Sequence, residues 1–278
     1  MKTKSIDRIF LVLKYLVLCS FTALCLYPIL WLVINSFKTN QELFADPWGL
    51  SPNFSVRNYI DAFVEGNIGT YFFNSAFIAV CVLAVGVTLS SMASYAISRM
   101  KWKLSKVTLN VFLLGMMVPT YAIVIPLFST FNFLQILNTH LAVIIAQVAG
   151  CFPMAIFILT GFFSIIPKDI EEAAIMDGCG MLRMFFRIIM PISKSSIVTV
   201  AVITFLATWN DLLLPQIFLS DQPKMTLPVG LMACQGQYTT NFVGMIAAVL
   251  VTIIPTVIIY IFLHKNIMEG MVAGAVKG

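Results

Sequence analysis

Glu172-Ala173-Ala174-Ile175-Met176-Asp177-Gly178, followed after a basic stretch by Ile188-Ile189-Met190-Pro191, interrupts a chain that is otherwise a succession of long apolar runs. A loop between membrane spans has only to be wettable, yet this one is patterned as two short amphipathic helices around a glycine, from Pro167 to Pro191. Pro167 suits a first helical turn, where its missing N–H is not needed. Asp169, Glu171 and Glu172 follow where carboxylates complement the positive end of the helix dipole. Gly178 can take the left-handed conformation that ends a helix. Beyond it, Leu182, Phe185, Phe186 and Ile189 fall at i, i+3, i+4 and i+7 and predict an apolar face over Met181 to Met190, with Arg183 and Arg187 away from it. Helix, glycine, helix and proline make a compact knob, patterned as a docking element for a partner at the inner face of a membrane.

Composition agrees with that setting. Of 278 residues, 60% are hydrophobic and 10% charged, and the mean hydropathy is +0.95. A soluble domain carries about 25% charged residues. A spanning helix needs about 20 mostly apolar residues, and six such runs are present, at roughly 10–34, 71–97, 107–131, 140–164, 192–219 and 242–264. The expectation is a single all-helical membrane domain over 1–278 with its core at about 69–264. The first run, from Ile9 to Ile34, is longer than a signal-peptide core and has no small-x-small cleavage site, so it reads as a retained helix.

Orientation follows from Lys and Arg. With the N-terminus inside, Lys2, Lys4, Arg8, Lys14, Arg99, Lys101, Lys103, Lys106, Lys168, Arg183, Arg187, Lys194, Lys265 and Lys277 are cytoplasmic, and Lys38, Arg57 and Lys224 are outside. That asymmetry accounts for the net charge of +5 without a nucleic-acid partner, and it puts both termini in the cytoplasm. Six cysteines without a CxxC pair, one of them outside (Cys234), support neither a disulfide framework nor a zinc site. His140 and His264 stand at span ends and read as interfacial caps rather than a metal or proton relay.

Helices in lipid associate through small residues. Gly86, Ser90, Ser94 and Ser98, then Ala142, Ala146 and Gly150, then Gly244, Ala248, Thr252 and Thr256 form such stripes, facing either other helices of this chain or a second subunit. Pro119 and Pro126 should each kink or break the third span, which suits a translocation path, because broken helices at membrane depth must be buried or line a wet cavity. In the fifth span, Trp209, Asn210 and Asp211 lie near the outer end, roughly 25 Å above Pro191. Asp211 there either lines a cavity or satisfies backbone groups of the next loop. Asn74 and Gln147 read as inter-helix hydrogen-bond formers rather than substrate ligands.

The loop resembles the EAA motif, EAA-x3-G-x9-I-x-L-P, of membrane subunits in binding-protein-dependent ABC importers. Glu172, Ala173, Ala174, Gly178, Ile188 and Pro191 match it, and Met190 stands in place of Leu. Tyr27-Pro28, Ser36-Phe37-Lys38, Pro52-x-Phe54-x-x-x-Asn58-Tyr59, Tyr95-Ala96 with Arg99, Trp209-Asn210-Asp211-x-x-x-Pro215 and the run from Gly270 to Gly278 are similar to carbohydrate-type permeases. They extend the resemblance over nearly the whole chain, most closely to the second membrane subunit of maltose-type and multiple-sugar importers. Many of those permeases have Glu where Asp211 stands.

The resemblance implies a six-helix type I ABC importer permease in a bacterial cytoplasmic membrane, importing a sugar or oligosaccharide by alternating access. It implies a homologous second permease, two ATPase subunits carrying ATP and Mg, and an extracytoplasmic sugar-binding protein met by the outer loop at about 220–241. Glu171, Glu172, Ala173, Ala174, Asp177, Gly178, Phe185, Ile188 and Pro191 would couple to the ATPase. Pro119, Pro126, Trp209, Asn210 and Asp211 would belong to the pathway. No G-x-x-x-x-G-K-[ST] run is present to cradle phosphates, so the chain is expected to be no enzyme and to hold no cofactor or metal. The alternatives are an ABC permease for another solute and a secondary transporter, for which Asp211 is the sole coupling carboxylate.

Overall fold

The apolar runs fold as helices nearly where the pattern puts them, and the departures fall at Pro119, at the knob and after Trp209. The computed structural model describes the backbone of residues 2–50, 54–100, 102–237 and 241–275, and the side chains of 10–50, 54–100, 102–233 and 241–263. In chain order the helices are α1 (Lys2–Asn35), α2 (Asn40–Ala45), α3 (Arg57–Val64), α4 (Ile68–Arg99), α5 (Ser105–Gly115), α6 (Thr120–Phe133) and α7 (His140–Phe163). They continue as α8 (Lys168–Met176), α9 (Met181–Ile192), α10 (Lys194–Trp209), α11 (Leu213–Phe218), α12 (Leu227–Gln237) and α13 (Phe242–Ala275). Four helices, within α1, α4, α7 and α13, are long and apolar enough to span a membrane. Two bent pairs, α5 with α6 and α9 with α10, raise the candidates to six.

The chain divides into two compact units. One comprises residues 1–68 and 231–253. There the segment after α1 is tied down by side chains that the sequence already marks. Asn58 donates from Nδ2 to the carbonyls of Ser36 and Lys38 at 2.7 and 2.8 Å, and the Ser36 and Tyr59 hydroxyls lie 2.8 Å apart. Lys38 is fully buried and donates to the Asp46 carbonyl at 2.8 Å. Thr39 and Glu42 form a reciprocal capping box that starts α2. Leu43 of α2 packs into a small core with Val243, Ile246 and Leu250 of α13.

The second unit, residues 69–230 and 254–278, carries the long helices. α4 and α7 pack along each other, and the expected stripe on α4 is the reason. Gly86, Ser90 and Ser94 are buried, and the hydroxyls of Ser90, Ser91, Ser94 and Ser98 turn back to carbonyls of their own helix at 2.6–3.1 Å. A serine that satisfies itself this way presents a thin, apolar face to its neighbour. At Gly86, inside the single π turn Leu83–Val87 of α4, an added Cβ would run into the Cys151 sulfur of α7.

Three expectations are corrected. The third span breaks once, at Pro119, where α5 and α6 meet at 99°; Pro126 lies inside α6, which continues through it. The fifth span is not one helix over 192–219: α10 stops at Trp209 and α11 restarts at Leu213. The second knob helix does not present one continuous apolar stripe. A π turn at Phe185–Ile189 shifts its register, so Met184, Phe185 and Ile189 turn inward while Leu182 and Phe186 stay exposed. The side chains of Cys234 and His264, residues 51–53, Lys101, the outer segment 238–240, and the side chains of the C-terminal run 270–278 lie outside the described residues.

Close approach makes one glycine of this unit structural. A Cβ at Gly230 would fall within the ring of Tyr71, which has no exposed surface. Gly230→Ala is therefore expected to destabilise the protein by about 2 kcal/mol through overpacking. Gly161→Ala, with open space around the site, should be neutral; thermal unfolding of the purified protein in detergent compares the two.

Candidate functional site

The knob is half seat and half presentation surface. Ala174 of α8 and Met184, Phe185 and Ile189 of α9 are buried in one cluster with Tyr95, Leu159, Phe163 and Val200, from the ends of α4, α7 and α10. α8 turns back at Gly178, whose φ of 74° is the left-handed conformation expected of it. Backbone bonds from Gly178 N to the Ile175 carbonyl and from Cys179 N to the Ala174 carbonyl, both 2.9 Å, close the turn. The side of α8 away from the seat carries Glu172, Ala173, Ile175, Met176 and Asp177, all exposed, Met176 by 86%.

A buried ion pair holds the seat. Arg99, at the end of α4, meets Glu171 of α8 through two nitrogens: Nε donates to Oε1 at 3.0 Å and Nη2 to Oε2 at 2.8 Å. Arg99 Nη1 also donates to the Ile166 carbonyl at 2.9 Å, satisfying the turn that precedes α8. The two side chains are 5% and 14% exposed, so their planar fork geometry is held out of water.

Of the nine expected coupling residues, Glu172, Ala173, Asp177, Gly178 and Pro191 are exposed, Ala174 and Phe185 are buried in the seat, and Ile188 is half-buried against it. Glu171 is bound to Arg99 rather than free. Sequence reasoning missed Ile175 and Met176 as presented apolar groups. Their signal was there: with Ile170 and Ala174 inward, helical periodicity turns them outward.

A second feature is a cavity of about 680 Å³ between α6, α7, α10 and the start of α11. Its wall is mostly apolar, with Thr120, Tyr121, Gln147, Thr204, Thr208 and Asp211 as polar members. Asp211 joins both readings left open for it. It lines the cavity, and its Oδ1 accepts the Leu214 N–H at 3.4 Å at the start of α11. Gln147 Nε2 donates to Asp211 Oδ2 at 2.8 Å. The other expected pathway residues are not on this wall. Trp209 is buried between Phe72 and Phe205, Asn210 bonds the Leu206 carbonyl of its own helix, Pro119 caps α6 and Pro126 lies within it.

The connection 219–227 is anchored rather than loose. Asn74 donates to the Pro223 and Met225 carbonyls, both at 2.9 Å, and Ser75 Oγ accepts from Leu227 N at 2.8 Å. The His140 ring is 2.9 Å from the Lys224 carbonyl, as fits an interfacial cap. Asn138 Oδ1 accepts from Ser220 N and Asp221 N. The Lys224 ammonium, 2.7 Å away, and this loop geometry hold the Asp221 carboxyl below its usual range.

With this geometry in view, the comparisons agree with one another. Residues 86–267 match the sequence profile of the binding-protein-dependent transport system inner membrane component family. The inner membrane ABC transporter permease protein YcjP of Escherichia coli is 37% identical, over 95% of each chain. The diacetylchitobiose uptake system permease protein NgcG of Streptomyces coelicolor is 30% identical over 98% of this chain and 91% of that one. The trehalose/maltose transport system permease protein MalG of Thermococcus litoralis is 30% identical over the full length of both. A solved bacterial ABC transporter involved in import of the acidic polysaccharide alginate shares the fold, with a TM-score of 0.82 at 22% identity over 93% of this chain and 96% of that one. The chain belongs to the binding-protein-dependent transport system inner membrane components. It is a multi-pass inner membrane protein, the permease of such an ABC importer and not its ATPase.

Removing one partner of the Arg99–Glu171 pair leaves a buried charge unpaired, at a cost of about 3 kcal/mol. Arg99→Ala and Glu171→Ala should each lower the unfolding temperature and expose the 167–180 turn to protease. The double variant should be less destabilised than the two effects added together, and a thermal and proteolytic double-mutant cycle measures the difference.

Proposed function

We propose that this permease carries a neutral sugar or oligosaccharide inward by alternating access. Its relatives named for diacetylchitobiose and trehalose/maltose uptake support the substrate class, as do the carbohydrate-type residues around Ser36, Asn58 and Trp209. Its working complex contains one homologous permease, two ATPase subunits and an extracytoplasmic solute-binding protein. Both termini and the knob face the cytoplasm, a reading supported by the concentration of Lys and Arg on those segments.

The observation that carries the mechanism is the division of the knob into a fixed and a presented half. Closure of an ATPase dimer moves the groove in which Glu172, Ala173, Ile175, Met176 and Asp177 sit. The buried half, with Arg99–Glu171 as its strut, passes that displacement to the ends of α4, α7 and α10 without absorbing it, because packed interiors are stiff. Of those helices, α7 and α10 border the cavity, so its access changes with the state of the ATPase. The outer connection 219–227 meets the binding protein on the other side.

Gly178→Val forces a β-branched residue into a left-handed conformation and should abolish ATP-dependent uptake, with the ATPase lost on purification. Glu172→Lys should weaken ATPase retention at least tenfold while the permease still folds. The check is co-purification in mild detergent, followed by ATP-driven uptake of labelled maltose, trehalose, diacetylchitobiose and arabinotriose into proteoliposomes of the whole complex. Wild-type uptake of none of them overturns the sugar assignment, and full activity of both variants overturns the coupling role.

A further inference from the structure

Among the polar groups of the cavity beside α7, Gln147 and Asp211 form a bonded pair whose hydrogen bonding is incomplete. Gln147 is nine-tenths buried. Its Nε2 is spent on Asp211, and its Oε1 is buried with no hydrogen-bond donor among the described residues. A buried acceptor without a donor is costly, and most such groups in folded proteins find a partner. Beside it, the Asp211 carboxylate offers about four lone-pair sites, and only donors can use them. Asp211 is also the one charged side chain among the described residues that line the cavity. The pair is therefore short of donors, and the shortage is concentrated at one place on a mostly apolar wall.

We infer that Gln147 and Asp211 form a subsite for the hydroxyl groups of an uncharged polyhydroxylated solute, so that this subunit contacts the cargo itself. The inference rests on the transport reading above and adds to it where the solute is held. A sugar ring brings hydroxyl donors at its rim and C–H faces that suit the apolar wall, whereas an anion meets a carboxylate and is repelled. The cavity volume lies within the range of small-molecule sites, about 300–1,000 Å³. The subsite stands at the helix break after Trp209, where the backbone already leaves regular structure.

The test uses the whole complex in proteoliposomes, with the four labelled saccharides named above and labelled putrescine as a small cation. Wild-type complex is expected to take up at least one saccharide and not putrescine. Asp211→Asn, nearly isosteric, and Gln147→Leu should each raise the half-saturating concentration of that saccharide about tenfold, the loss of one charge-assisted or buried hydrogen bond. Should Gln147→Leu fail to assemble, Asp211→Asn decides alone. Unchanged half-saturation in variants of a saccharide-importing complex overturns the subsite and leaves the transport reading standing. Wild-type uptake of no saccharide overturns both, and uptake of putrescine instead overturns the assigned chemistry. Loss of the second permease from both variants, with half-saturation unchanged in whatever complex remains, makes the pair an interface element and also overturns the proposal.

Discussion

Lipid offers no hydrogen bonds, so every interruption of a helix at membrane depth has to be covered by protein or by a wet cavity. That constraint organises the large helical unit. Two of its interruptions, between α5 and α6 and between α10 and α11, contribute to one cavity, Val118 and Thr120 from the first and Asp211 and Leu213 from the second. The first break is closed by tight backbone bonds from Met116, Met117 and Val118 to the carbonyls three residues earlier. The second is closed by Asp211, which takes the Leu214 N–H.

In the proposed coupling, the knob has a different problem, that of transmitting a displacement through a short segment. Hydrophobic seating alone has no direction and tolerates sliding. The Arg99–Glu171 fork supplies the missing registration: it joins α8 to the end of α4 while the same guanidinium holds the Ile166 carbonyl of the preceding turn. The pair lies in the shelter of Tyr95 and Phe163 and is therefore far less screened than a surface ion pair. Gly178 then reverses the chain at the exposed tip, at no steric cost.

Much of this was readable beforehand. The six apolar runs, the small-residue stripe Gly86-Ser90-Ser94 and the turn at Gly178 all follow from local rules of length, side-chain size and allowed dihedrals, and the helices obey them. Pro119 and Pro126 look alike in sequence and behave differently: α5 has already ended at Gly115 before the first, whereas α6 accommodates the second. Leu182 and Phe186 fit an apolar stripe at ideal helical spacing, yet one π turn rotates them out of the core, an effect periodicity cannot foresee. Trp209 lies two positions from Asp211 in sequence yet packs against Phe72 and Phe205 rather than lining the cavity.

The sequence by itself determined the class of the protein. Hydropathy demands lipid, the distribution of Lys and Arg sets the expected orientation, and fixed spacing in the segment from Glu172 to Pro191 marks the proposed docking loop, because each depends only on residues near one another in the chain. Tertiary structure alone decided which carboxylate of the Glu171-Glu172 pair is a strut and which is presented. It also brought Gln147 and Asp211, 64 positions apart, to one hydrogen bond on a shared wall. Both outcomes turn on which helices pack side by side and in what rotation, which long-range packing fixes and local pattern does not encode.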